Sequence, residues 1–403
     1  MVRKKIFSSK IINISPSATI AVADKANELK KRGIDIISFA QGEPNFDTPK
    51  NIKDAANKAM EEGFTKYTTV SGINELKEAI CVKLRRDNHI DYQPSEIIVS
   101  NGAKQALFNA FMTICDQGDK VLLPAPCYVS FTEQIKLTGA TPVFVPTKEE
   151  NNFRVTLEDI KNNFHSEIKV FLLNSPNNPS GAMIKKEDLV QIAEFLIEKG
   201  VWVITDEIYE NLIYGDNKHV SIASLNQKIK EHTITVNGVS KSYAMTGWRV
   251  GYAAGPKDVI SAMTKFQGHA TGNINSIAQK ASIEALEGPQ EVIESMRMEY
   301  DERRDYMVRE LNSIKGISCN NPDGAFYVFP NISKIYGKRY KGNAINTEMD
   351  VVNYILDEAH VAVVPGKAFK YPDHVRFTFA ISMESIKKGL ERIRIAIEKL
   401  EKR

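Results

Sequence analysis

Four cysteines, Cys81, Cys115, Cys127 and Cys319, are all that 403 residues contain, and none falls in a Cys-x-x-Cys pair. Such spacing offers neither a zinc site nor a disulfide framework and fits a reducing cytoplasm. The seven histidines are scattered without His-x-x-x-His pairing, so no metal is expected. An excess of one charge is missing too. The 53 basic and 50 acidic residues leave a net +3, which gives no reason to expect nucleic acid or an anionic membrane as partner. No apolar run approaches the roughly 18 residues of a membrane span. The basic start, MVRKK, is not followed by the apolar core of about 7–15 residues that a secretory signal needs, and reads as an ordered or slightly frayed arm. There is no internal repeat, no low-complexity segment and no Gly/Ser-rich linker.

What remains is an ordinary globular composition, 42% hydrophobic and 26% charged. The length makes two domains the default. Residues 19–32 read as an amphipathic helix stopped at Gly33, and IDIISF (34–39) as a short strand. From about residue 50 to 290 short apolar runs alternate with helical segments. EIIVS (96–100) precedes a helix over 105–115, and KVLLP (120–124) follows. KVFLL (169–173), VWVIT (201–205) and TITVN (233–237) come next, with a helix over 186–199 between the first two. Continuous Val/Ile/Leu runs between helices indicate strands buried on both faces, hence an α/β fold with a mostly parallel sheet flanked by helices. Beyond Pro289 a long charged helix (290–314) and shorter elements suggest a smaller α+β domain.

Ligands of open α/β sheets gather at the carboxyl ends of strands, and there the unusual residues stand. NGAK (101–104) follows EIIVS; it is either a simple chain reversal or a helix N-terminus whose free N–H groups suit a phosphate. NSPNNPSG (174–181) follows KVFLL, a rigid turn that could also aim an asparagine amide at a ligand. DEIYE follows VWVIT and sets Asp206 three residues before Tyr209. A carboxylate there is a helix cap, a loop charge or the partner of a cationic ring nitrogen. SKSYAMTGWRVGY (240–252) follows TITVN and frames Lys241 and Arg249 with Gly, Trp and Tyr. A lone strand-end lysine is usually solvated. An amine, an acid, a phenol, an amide, an arginine and a phosphate cup together describe a lysine bonded to a carbonyl cofactor, with the acid that marks pyridoxal phosphate.

With GEPNFDTP (42–49), YTTVSG (67–72), DGAFYVFP (323–330) and VRFTFA (375–380) in the same order, the chain resembles the class I aminotransferases of fold type I. Within them it is similar to the aspartate aminotransferase-like branch of bacteria and archaea, over nearly its whole length. Asn45 replaces the branch's usual Asp. The resemblance implies a large cofactor-binding domain over 49–289. It implies a small domain over 290–403, to which residues 1–48 contribute an arm and part of the fold.

The resemblance also assigns roles. Lys241 forms a Schiff base with pyridoxal 5'-phosphate and then acts as general acid/base. Asp206 pairs with the pyridine N–H, Asn178 and Tyr209 bond the ring hydroxyl, and Tyr128 stacks on the ring. Arg249 and the backbone N–H groups of Gly102, Ala103 and Lys104 hold the phosphate. Ser240 adds a hydroxyl there, with Gly238 standing where some relatives have serine. Tyr67 reaches the phosphate of a neighbouring subunit, which makes the active unit a homodimer with shared sites. Arg376 and the backbone at Gly42 take the substrate α-carboxylate, beside Tyr128 and Asn178. Lys104 and Thr19 contact a distal carboxylate, unless Lys104 is an ordinary first-turn charge.

The implied reaction moves the amino group of L-aspartate or a similar amino acid to 2-oxoglutarate in ping-pong cycles. Aromatic, prephenate or broad specificity is the alternative. Ser15 stands where prephenate-using relatives often carry lysine, which weighs against that substrate. A pyridoxal-phosphate C–S lyase shares the same family features. A transcription regulator lacks room for a DNA-binding module, and a nicotinamide enzyme lacks its GxGxxG.

Overall fold

The structure is a computed structural model that describes residues 6–401. The MVRKK start of the expected arm and the last two residues of the expected C-terminal domain lie outside the described residues.

Seven strands form the central sheet. Their spatial order is Ile97–Ser100, Gly251–Ala254, Thr233–Gly238, Trp202–Asp206, Ile168–Asn174, Lys120–Ala125 and Thr141–Pro146. Six run parallel, and Gly251–Ala254 runs antiparallel to both its neighbours. Parallel neighbours need crossover helices. The chain between 238 and 251 holds only a short helical turn, Thr246–Trp248, so it must return antiparallel. This return has a consequence for the site. Lys241 follows the end of one strand and Arg249 precedes the start of its neighbour, so both stand at one edge of the sheet.

Both faces are covered, as the apolar runs require. Ile97 and Val99 pack with Leu76, Ile80 and Ala281, whereas Ile98 between them packs with Ala106, Ala110 and Met263. The helices Asn74–Asn88 and Ser276–Glu287 therefore line one face, and Ala103–Ile114 and Lys257–Ala270 the other. Thr141–Pro146 is the strand that the sequence pattern did not suggest. Its prolines at 142 and 146 interrupt the apolar run, and it lies at the sheet edge, where proline is tolerated.

After the helix Glu291–Ser313 comes a three-stranded antiparallel sheet of Val364–Pro365, Val375–Thr378 and Tyr327–Val328. The expected strand over 34–39 is shorter, Ile37–Ser38, and it pairs in parallel with Val361–Ala362. The N–H of Thr378 donates to Phe39 O at 3.0 Å, so this early segment runs beside the strand that bears Arg376. All four cysteines are buried and unbridged. Among the described residues no helix is long and apolar enough to cross a membrane.

Candidate active site

A cavity of about 440 Å³ opens at the carboxyl edge of the central sheet, between it and the segment around residue 40. Asp206 closes one strand and Asn174 closes the next. Asn174 ties the two ends together. Its amide donates to Asp206 O at 3.0 Å, and its Oδ1 accepts from the N–H of Asn178 at 2.9 Å. The proline-rich turn thus presents Asn178 to the same cavity as Asp206.

Asp206 is buried, and among the described residues the one hydrogen bond to its carboxylate comes from the N–H of Ile208 at 3.3 Å. Burial pushes its carboxyl up to about 7; the Ile208 N–H opposes the rise, the Glu207 charge adds to it, and Lys241 opposes it. Lys241 is shifted the other way. Burial brings its amine down to about 8, with Glu43 resisting and the Arg376 and Arg249 charges assisting. Its Nζ donates to Gly42 O at 2.5 Å. The buried Tyr209 hydroxyl lies 3.0 Å from that of Tyr327, and burial raises it well above the ordinary phenol range.

Two arginines sit at opposite ends. Arg376, 2% exposed, donates from Nη1 to Asn178 Oδ1 at 3.0 Å and from Nη2 to Ala40 O at 2.7 Å. Its guanidinium lies 4.4 Å from the centre of the Tyr327 ring. Its Nε is buried without a partner, and no carboxylate pairs with it among the described residues. A buried, unpaired guanidinium is poised for an incoming carboxylate.

Arg249 holds a left-handed backbone, φ 56°, and donates to Thr246 O at 2.9 Å and Asn101 O at 3.3 Å. Its guanidinium covers Gly102, where a Cβ would lie 2.6 Å from Nη2. Gly102 has φ 84° and caps the helix Ala103–Ile114, but its own N–H donates to Ser100 O at 2.7 Å, so, against expectation, the free N–H groups at the cavity edge are those of Ala103 and Lys104 in the first turn. Ser240 lines this end as well. At Gly238 a Cβ would meet Val250 O at 2.8 Å, so the backbone return leaves no room for a serine.

Lys104 is exposed, with Nζ 5.6 Å from the centre of the Tyr128 ring, and Thr19 pairs with Ser17 at 2.9 Å. Both line the cavity, as do Gly42, Ala103 and Tyr128. Tyr67 does not: it is 97% exposed and stands outside this chain's cavity. Asn45 accepts from Arg303 at 2.7 Å and takes no part in the site. Sequence reasoning missed Asn174, Glu43, Thr246 and Tyr327. Each stands inside a quoted motif, NSPNNPSG, GEPNFDTP, SKSYAMTGWRVGY and DGAFYVFP, but received no role there.

These groups fit pyridoxal phosphate. A cationic cup with free N–H groups stands at one end, a buried carboxyl without a cationic partner lies beneath, and a partly neutral amine lies between. Arg376, still unpaired, faces the substrate side.

The sequence profile described as Aminotransferase class I and II matches residues 34–393. An aspartate aminotransferase of Geobacillus stearothermophilus is 46% identical, over 96% of this chain and 97% of that protein. A probable aspartate/prephenate aminotransferase of Aquifex aeolicus is 44% identical, over 98% of this chain and all of that one. The solved aspartate aminotransferase of Thermus thermophilus with maleate superposes with a TM-score of 0.92. It is 40% identical and covers 98% of this chain and 100% of its own. The chain belongs to the class I and II aminotransferases.

Proposed function

We propose that the enzyme transfers the amino group of L-aspartate, or a closely similar amino acid, to 2-oxoglutarate in a ping-pong cycle. The observation that carries transamination of an α-amino acid is Arg376, a buried guanidinium without an acid among the described residues, in the same cavity as Lys241, while the choice of aspartate rests on Lys104 and Thr19. The cofactor of the family, pyridoxal 5'-phosphate, supplies a carbonyl for the amino group and a ring that accepts electrons.

Each residue then has a task. Arg376 grips the substrate α-carboxylate with its fork, and the Gly42 backbone closes on the same group. The Asn178 carbonyl is occupied by Arg376, which leaves the amide N–H₂ free to donate to the ring hydroxyl. Tyr209 reaches that hydroxyl too, and Tyr327 orients it. Asp206 holds the ring N–H in a dry setting, where a carboxylate acts more strongly than in water. Arg249, Ser240 and the N–H groups of Ala103 and Lys104 would hold the phosphate, the Gly102 N–H being taken by Ser100 O, while Tyr128 would cover the ring. With its amine near 8, Lys241 has a usable neutral fraction at physiological pH and can carry a proton to and from the substrate Cα. Lys104 and Thr19 read the distal carboxylate. The maleate bound by the Thermus relative, itself a dicarboxylate, supports that assignment.

A panel of amino acids, scored by conversion of bound cofactor to its amine form, tests the reading. Aspartate and glutamate converting well ahead of neutral and aromatic donors is the expected result. Prephenate belongs in the acceptor panel because of the Aquifex relative's name, and Ser15, where a lysine is expected for that substrate, opposes it.

The same reading includes a homodimer with shared sites, supported by the exposed Tyr67, and work in the cytoplasm. It also divides the chain into a large domain over 49–289 and a small one built from 290–403 with part of 1–48. The pairing of Ile37–Ser38 with Val361–Ala362 supports that division.

A further inference from the structure

Behind Asp206, on the far side of its strand, lies a buried charged network that the reaction as described leaves unused. Strand alternation turns Asp206 toward the cavity and its neighbours Thr205 and Glu207 away from it. Glu207 is 1% exposed. Its Oε1 accepts from Ser221 at 2.7 Å and Thr205 at 3.2 Å, and its Oε2 lies 3.1 Å from His219 Nε2. One turn on, Glu210 accepts from Asn88 and Asn237, each at 2.6 Å, and is in contact with the ammonium of Lys83. Ligand atoms of Glu207, Glu210 and His219 lie within 4.8 Å of one another. A cation would fit that spacing, but Lys83, with 3% of its side chain exposed, already supplies one.

The charges can be counted. With His219 neutral, two buried carboxylates face a single ammonium. With His219 protonated they form two pairs, Glu207 with His219 and Glu210 with Lys83. Unpaired buried charge is costly, so the second arrangement is favoured. Glu207 and Glu210 both draw the imidazole upward from its usual value, against burial and the Lys83 charge. Asp87, 3.9 Å from Lys83, is partly solvated at the rim. The phenols of Tyr92 and Tyr252 face the same network and stay neutral, since burial raises both. His219 Nδ1 has no partner among the described residues, and that penalty falls on the protonated form.

We propose that the Glu207–His219 pair is a positioning element for the reaction: the imidazolium cancels the Glu207 charge and so lets the adjacent Asp206 ionise inside the cavity. Uncompensated, the Glu207 carboxylate would sit one residue from Asp206 in a low-dielectric wall and oppose its ionisation. The inference rests on the proposed function only in taking Asp206 as the acid under the ring.

The test titrates Asp206 directly. In the full-length protein without cofactor, its carboxyl band is identified by difference infrared spectroscopy as the signal that Asp206→Asn removes. His219→Gln keeps a donor but loses the charge, and should move the midpoint of that band to higher pH by about 0.5–1 unit. Glu207→Gln removes charge and counter-charge together and should move it by far less than His219→Gln does, and adding His219→Gln to that variant should do nothing more. In the loaded enzyme the acid limb of kcat/KM should move in the same way. A merely structural His219 would lower activity evenly across pH and leave the band in place. An unmoved midpoint in His219→Gln, or a shift that persists undiminished beside Glu207→Gln, overturns the proposal. Should His219→Gln not fold, nitrogen-15 NMR of the His219 ring in the parent decides, because a ring that is neutral at the pH where Asp206 ionises is fatal. Failure of the proposed function would appear elsewhere, as a parent protein whose bound cofactor no amino acid converts to its amine form.

Discussion

At Asp206 and Lys241 burial acts on two groups of opposite type, bringing a carboxyl up to about 7 and an amine down to about 8. Neither shift favours the fold. Between about pH 4 and 7 the folded chain keeps the Asp206 proton that the unfolded chain has lost, so stability falls as pH rises through that window. Asp206→Asn should therefore raise the melting temperature of the cofactor-free protein at pH 8, by about 1–3 °C, and leave it unchanged at pH 3.5. The same variant should lose transamination severely, since an amide cannot hold the ring N–H; loss of one preorganised charge is worth about 3–4 kcal/mol. A scanning-calorimetry series at the two pH values, set beside the rates, separates the effects. Substrate choice is also a residue-scale question. Arg376→Ala should depress every donor, because all carry the α-carboxylate. Lys104→Ala should lower aspartate activity relative to phenylalanine roughly ten- to a hundredfold. An unmoved ratio would make Lys104 an ordinary helix-terminus charge.

At the scale of elements, the site depends on how closely the 239–250 return packs against the helix Ala103–Ile114. A Cβ on Gly251 would lie 2.1 Å from Ala103 N and 2.4 Å from Gly102 C, both backbone atoms that cannot swing aside. Gly251→Ala should destabilise the protein by about 1–3 kcal/mol or more and loosen the phosphate cup, measured as denaturation midpoint and cofactor retention. Gly247→Ala, in the same return but with nothing within 4 Å of the new methyl, should do neither. The sequence made the strand ends legible because their apolar runs are continuous and stop at polar clusters. Lys241, Asp206, Asn178 and Arg249 stand out for that reason, and the resemblance supplied Arg376, which no local pattern distinguishes. Thr141–Pro146 escaped because its prolines break the run. The Glu207–His219 and Glu210–Lys83 pairs escaped for a different reason. They join residues up to 127 positions apart, through burial that no local periodicity reports.

At the scale of the whole molecule, one residue points away from everything the chain itself contains. Tyr67 is 97% exposed, although the neighbouring Gln279 and Thr68 are bonded to each other at 3.0 Å. A bare aromatic ring held beside an ordered segment is better suited to a second copy than to water. If Tyr67 serves the partner's phosphate, the protein should sediment as a dimer of its 45.2 kDa chain. Tyr67→Ala should then retain cofactor poorly, and Lys241→Ala should be inactive. Mixing these two inactive or weakened variants under exchange conditions gives a decisive reading. In a hybrid dimer one site takes Lys241 from the first chain and Tyr67 from the second, and is complete. With random exchange half the dimers are hybrids with one good site of two, so activity should recover to about a quarter of the parent. If Tyr67 acts within its own chain, no hybrid site is complete in this way and the mixture gives only the average of its parts. A monomer in sedimentation would remove the premise altogether.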